Sequence, residues 1–185
     1  MSYTLQDFAK DAHDILKKEP GPSGREKVAG KLSELVKDDG FLKQYCENAK
    51  AGRHVIYEDP ELHWQIMVHH MTEAHKGVPH DHGKSWAIYC QAIKHTDMSL
   101  WKRLDAGGSE GSAKLEKVKE FKLTRGVSGV YNGNQIHAIA YPAGAVFVRV
   151  TGCDLDTIER LRYDVAKGTV KAEKSATLVH AGQNG

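Results

Sequence analysis

The chain has 185 residues, 40% of them hydrophobic, with 26 Lys and Arg against 24 Asp and Glu and a formal net charge of +2. A chain of this length buries roughly 70% of its unfolded surface in one core, so two full domains would be cramped. The charges form no basic block or aromatic-interleaved stripe, and no apolar run reaches membrane-spanning length; this speaks against nucleic acid and membrane as partners and favours a small neutral or anionic ligand.

The first residues, Met1-Ser-Tyr-Thr-Leu-Gln-Asp7, are polar and acidic where a signal peptide is basic and then apolar, so a soluble, cytoplasmic protein is expected. Leu5, Phe8, Ala9, Ala12, Ile15 and Leu16 recur at helical spacing behind Thr4 as cap, and Glu19-Pro-Gly-Pro22 ends that helix. Ser23-Gly-Arg-Glu26 reads as a capping box opening a second helix, with Val28, Leu32, Leu35 and Val36 on one side and Asp39-Gly40 as its stop. A short third helix is predicted from Phe41 to Cys46.

After Lys50-Ala-Gly52 the pattern turns strand-like. Arg53 to Tyr57, Trp64 to Met71, Trp86 to Ile93, Val118 to Leu123, Gln135 to Ala140, Ala145 to Thr151 and Arg160 to Val165 are short β-rich runs separated by Gly, Pro, Asn and Asp. Gly107 to Ser112 reads as a flexible loop too short to link domains, and Ala181 to Gly185 as a frayed tail. The expected organisation is one domain: a helical segment, residues 1–50, packed on a barrel of residues 51–180. Short strands after a helical cap suggest a mainly β, double-sheet jelly-roll barrel, the architecture that includes cupins. Cys46, Cys90 and Cys153 are odd in number, widely spaced and without a Cys-x-x-Cys pair, so reduced thiols are expected rather than disulfides or a zinc-thiolate site.

The segment Gly77-Val-Pro-His-Asp-His-Gly-Lys-Ser-Trp86 carries the chemistry. His80 and His82 are two residues apart at what reads as the start of a strand, and strand side chains alternate between faces, so both imidazoles project to one side. His137 heads a later strand. Three neutral imidazoles make a cap that leaves coordination positions open for substrate or oxygen. With 11 histidines in the chain, two solvated loop histidines and one core histidine is the plainer alternative.

Here the chain resembles the cupins, whose first motif pairs His-x-His with a glutamate a few residues on. His80 and His82 hold the paired positions, but Trp86 or Ala87 falls where the glutamate would be, and His137 stands in place of the second motif's histidine. This three-histidine pattern, from about Gly52 to Asp164, resembles a divergent member of the cysteine dioxygenase superfamily. The resemblance implies Fe(II) as cofactor, with nickel or zinc in a recombinant sample, and a small thiol or acid as substrate with dioxygen as co-substrate. It implies that both oxygen atoms pass to sulfur to give a sulfinate. It also matches Arg53 to the position from which that family's arginine grips the substrate carboxylate, a role suited to a bidentate guanidinium fork.

The departures bear on the substrate. Where the family places a Ser, His and Tyr relay beside the iron, this chain has Phe147, Arg149 and Thr151; the cross-linking cysteine position is Ala87; Asn132 and Tyr141 replace a usual proline and asparagine. Arg149, if it faces the barrel interior, needs an anionic partner, either a substrate group or an internal carboxylate such as Glu73. Arg53 can instead sit in a strand-edge ion pair. Tyr141 can donate a hydrogen bond to a bound ligand as a catalytic group, or pack at a strand end. Cys90, eight residues after His82, lines the cavity if the strand is regular, or is a buried inert thiol. Alternation sends only one of His69 and His70 inward, and neither they nor His75 join the ligand set. The expected function is a mononuclear non-heme iron dioxygenase-like enzyme; its rival is a metal-binding cupin that binds or senses a small acid without oxygenase turnover.

Overall fold

The structure is a computed structural model, and it describes residues 2–174; the expected tail from Ala181 and the far end of the 51–180 span lie outside the described residues. Helix α1 (Leu5–Lys18) begins at Thr4, whose side chain accepts from the Asp7 amide while Asp7 accepts from the Thr4 amide. This is the reciprocal cap that closes two of the orphan donors of a helix start. Helix α2 (Pro22–Lys37) starts one residue before the expected box, with Gly21 as its cap and Pro22 in its first turn. Ser23 turns its hydroxyl to Glu19, because proline at the first helical position already removes a free amide. A single turn α3 (Asp39–Phe41), capped by Asp38, runs on into a π-helical segment, Leu42–Glu47, where a plain short helix was expected.

Among the described residues twelve strands follow: β1 (Gly52–Glu58), β2 (Gln65–Met71), β3 (His75–Lys76), β4 (Ala87–Ile93), β5 (Thr96–Arg103), β6 (Gly111–Ser112), β7 (Leu115–Leu123), β8 (Ser128–Tyr131), β9 (His137–Tyr141), β10 (Ala145–Thr151), β11 (Glu159–Asp164) and β12 (Thr169–Lys174). One sheet has the order β1-β2-β10-β4-β8, a second β3-β9-β5-β7, and a third β11-β12-β6. From β2 the chain alternates between the first two sheets, with β5 and β7 paired in the second, and all the ladders are antiparallel. That interleaving is the eight-strand jelly roll, the double-stranded β-helix of cupins. Gly111 and Ser112, expected in a flexible loop, form β6 against Thr169 and Val170, and β5 is a strand that the sequence reading missed. Its Thr-Asp-Met-Ser-Leu-Trp-Lys-Arg run mixes charge with apolar residues because only one of its faces is buried.

Alternation sorts the five-stranded sheet into two faces. Ile66, Val68, Ile88, Cys90, Val146, Val148 and Val150 point outward into one core with Phe8, Ala12, Val28, Leu32, Leu35 and Val36 of the helices, all nearly sealed from solvent. The helices therefore cover what would otherwise be a naked apolar sheet. Asp59, buried after β1, accepts from the Glu61 and Leu62 amides and meets His13 of α1 at 2.9 Å, which fixes the helix on the barrel. The opposite face carries Met67 and His69 of β2, Ala87 and Tyr89 of β4, Tyr131 of β8, and Phe147 and Arg149 of β10. It is this inner face that lines the site.

Cys90 lies on the helix side, contrary to the cavity reading. Counting by twos from His82 fails because Gly83 and Lys84 turn the chain before β4 begins. Burial pushes the Cys90 thiol up to about 11, and the three cysteines are free thiols. Among the described residues no helix is long and apolar enough to cross a membrane.

Candidate metal centre

His80 and His82 are held in an extended segment between β3 and β4 rather than at the head of a strand. His80 and His137 exchange both backbone hydrogen bonds, each 2.9 Å, so the first ligand is locked to the start of β9 without a full ladder. Between the histidines, Asp81 points the other way and is buried, accepting from the amides of Gly83 and Leu161 at 2.9 Å each. Gly83 has φ +53, and a Cβ there would lie 2.5 Å from the Glu159 carbonyl oxygen. Only glycine accommodates both that backbone region and that approach.

The consequence is a convergent cluster. One ring nitrogen from each of His80, His82 and His137 lies within 4.8 Å of the other two, and the ring centroids are 4.7 to 5.3 Å apart. The Nδ1 of His80 donates to the Val78 carbonyl and that of His137 to the Gln135 carbonyl, since a carbonyl only accepts. Those bonds place the lone pair on each Nε2, the arrangement by which an outer partner orients a metal-binding imidazole. His137 is fully buried, and its Nε2 has no hydrogen-bond partner among the described residues. An orphaned buried acceptor is costly, and a cation removes that cost. The residues therefore fit a metal ion, which the trio could hold. Desolvation lowers His137 to about 3 and His80 to about 4, and holds His82 well below the ordinary histidine range. All three are neutral donors near pH 7.

At the position of the cupin glutamate, Ala87 faces inward with no donor atom, and Trp86 lies outside the cluster under the Arg25 guanidinium. The described cluster contains no carboxylate. The wall around it is aromatic: Tyr131 lies 4.3 Å from the His137 ring, Tyr89 5.4 Å from Tyr131, and Phe147 5.8 Å from Tyr89. The Tyr89 hydroxyl is 3.3 Å from His82 Nε2. Sequence reasoning missed Tyr89 and Tyr131. The signal was present for Tyr89, two residues from Ala87 and hence on the same face.

Arg149 reaches this interior. Its guanidinium lies 5.9 Å from the Tyr89 ring centroid and its Nη2 is 3.5 Å from the Met67 sulfur, while Nε is buried without a partner. Among the described residues it has no carboxylate partner; Glu73 is exposed and does not serve. Thr151 is buried and donates to the Cys153 carbonyl, and Phe147 stacks on His69 at 4.6 Å. His69 is the inward member of its pair, buried and held well below the usual histidine range by desolvation, whereas His70 bonds the Ala49 carbonyl on the helix side. Arg53 sits opposite His69 on the inner face, but both of its terminal nitrogens go to the two oxygens of Asp156. Tyr141 shares the His137 face of β9, half-buried against Phe147 and His75.

No known family and no curated protein matches the chain. Solved structures do show similarity. KdgF from Halomonas sp. aligns with 54% of this chain and 74% of its own, at 16% identity and a TM-score of 0.39. Hydroquinone 1,2-dioxygenase from Sphingomonas sp. aligns over 56% and 67%, at 13% identity and a TM-score of 0.42. An uncharacterized protein with a double-stranded beta-helix domain from Klebsiella pneumoniae aligns over 58% and 80%, at 15% identity and a TM-score of 0.36. At these values neither reaction nor substrate follows from the likeness. By its own strand order the chain is a mainly β double-stranded β-helix, and it carries a three-histidine cluster at the inner wall, with His82 and His137 buried and His80 half-buried.

Proposed function

We propose that this chain is a mononuclear metal-dependent oxygenase of the cupin type, with Fe(II) at His80, His82 and His137 and a small carboxylic acid or thiol as substrate. The observation that carries it is the orphaned His137 Nε2, facing its two partners from a fully buried ring. When bound, iron would supply a Lewis-acidic, redox-active centre with positions left open by only three protein ligands. Three neutral donors cancel none of its charge, so anionic substrates are favoured.

The chain's own residues do the rest. Arg149 offers a guanidinium among soft partners, the Met67 sulfur and the Tyr89 face, and a substrate carboxylate satisfies it better than either. Tyr89 places its hydroxyl at His82 Nε2, where it can donate to a ligand atom beside the histidines. Phe147, Tyr131 and Tyr89 exclude water from that side. Tyr141, further along β9, closes the same wall and offers a second hydroxyl.

A second reading is a metal-binding cupin that binds or senses a small acid without turnover. It is favoured by one feature: Phe147 and Thr151 supply no titratable group where thiol dioxygenases carry their relay, and the Thr151 hydroxyl is engaged by the Cys153 carbonyl. Oxygen uptake by the iron-loaded chain with a panel of small thiols and carboxylic acids separates the two. Substrate-dependent uptake that disappears in His82→Ala supports the oxygenase, and acid binding with no uptake supports the sensor.

A further inference from the structure

Arg53 on β1, Arg149 on β10 and Arg160 on β11 each bring a guanidinium close enough to act on the Asp156 carboxylate. Two have carboxylate partners. Arg160 meets Glu173 at 3.0 Å, and Arg53 is clasped through both terminal nitrogens by Asp156. Asp156 belongs to a short 3-10 turn, Leu155–Thr157, directly after β10, and its backbone amide is fixed by Asp154. The Arg53 and Asp156 side chains are 21% and 17% exposed, too sheltered for water to screen the pair away. Arg53 lowers the Asp156 carboxyl chiefly by hydrogen bonding, and Arg149 and Arg160 add to this electrostatically, so all three cations act on one carboxylate. Glu173 is shared by Arg160 and Arg162, Asp156 is taken by Arg53, and among the described residues Arg149 is the guanidinium of the three without a carboxylate partner.

We propose that Asp156 is a specificity residue: by occupying Arg53 it leaves Arg149 as the guanidinium open to ligand, so the site takes a monocarboxylate and rejects a dicarboxylate. This rests on the acid-binding reading of the site given above. A second ligand carboxylate would have to displace Asp156 from Arg53 and would leave that half-buried carboxylate without its bidentate partner, which penalises the dianion. The bridge thus acts by charge subtraction, turning a second arginine away from substrate.

The test compares pentanoate with glutarate, acids of one chain length that differ by a single carboxylate, titrated calorimetrically into the Zn2+-loaded full chain. Wild type is expected to prefer pentanoate by tenfold or more. In Asp156→Asn, Arg53 is released and the preference should fall at least tenfold or invert toward glutarate. In Arg53→Gln, Asp156 loses its partner, its charge turns on the ligand carboxylate at Arg149, and pentanoate should bind at least tenfold more weakly; this second variant decides the matter if the first does not fold. Metal content and melting temperature are recorded for each. A merely structural bridge predicts equal losses for both acids, and an unchanged pentanoate-to-glutarate ratio in Asp156→Asn overturns the proposal while acid binding at Arg149 stands. If wild type binds neither acid, or Arg149→Met binds both as well as wild type, the acid-binding reading itself fails and this inference falls with it.

Discussion

Arg149 and Tyr89 face each other across the β10–β4 ladder, with the guanidinium 5.9 Å from the ring centroid and the ring's hydroxyl 3.3 Å from His82 Nε2. One aromatic residue thus spans the distance between a half-buried cation and the histidine cluster. A ligand that bridges the cluster and Arg149 must pass along the Tyr89 ring.

Metal binding is the most direct consequence. Because the cluster has three donors and no carboxylate, losing one leaves two imidazoles, too few to compete with water and buffer at micromolar metal. His82→Ala is expected to abolish binding of one divalent ion per chain, read as metal content after dialysis. Full occupancy in that variant would remove the central claim.

Arg149→Met should weaken binding of a monocarboxylate without changing metal content, since Arg149 is not a ligand and methionine fills much of the same volume. A hydrogen bond to a charged group contributes about 2 kcal/mol, which is roughly 30-fold in affinity. Loss of the metal together with the acid would show that Arg149 supports the cluster instead.

The metal-free protein should lose stability as pH falls through the slightly acidic range. His69, His80, His82 and His137 are all held below the histidine value of about 6.5 by burial. Below that value the unfolded chain takes up protons that the folded chain refuses, so the contribution of these groups is fully present above about pH 6.5 and drains away toward pH 4 and 3. Each group costs up to about 1.4 kcal/mol per pH unit in that window. The lowered carboxylates, Asp59 and Asp156, add their own loss only below the ordinary carboxylate range. Urea midpoints of the metal-free protein at pH 7.5, 6 and 5 check this, and a flat series would contradict neutral burial of the four rings.

Gly83→Ala should damage fold and site together. The left-handed backbone costs a non-glycine residue about 1–2 kcal/mol, and the new methyl would press on the Glu159 carbonyl. Because Gly83 follows His82 directly, the expected result is a lower melting temperature and weaker metal binding in one variant. A normal melting temperature with normal metal affinity would show that the turn relaxes freely.

What the sequence by itself determined is what local periodicity encodes. The helical spacing in residues 5–37, the short β-rich runs, and the His80-x-His82 pair with a distant His137 at a strand head are all legible, because one-sided burial imposes a period on neighbouring residues. Alternation also brought Phe147, Arg149 and Thr151 to one face, where β10 has them. It failed for Cys90, where a turn at Gly83 resets the parity, and at β5, whose exposed face dilutes the apolar signal. Tertiary structure alone decided who meets whom across long separations. Asp156 lies 103 residues from Arg53, and its carboxylate reaches that guanidinium only because β10 folds back beside β2 and delivers the following turn to β1. No pattern within either segment announces the partner, since the attraction between two charges depends on their distance in space and on the low-dielectric wall around them.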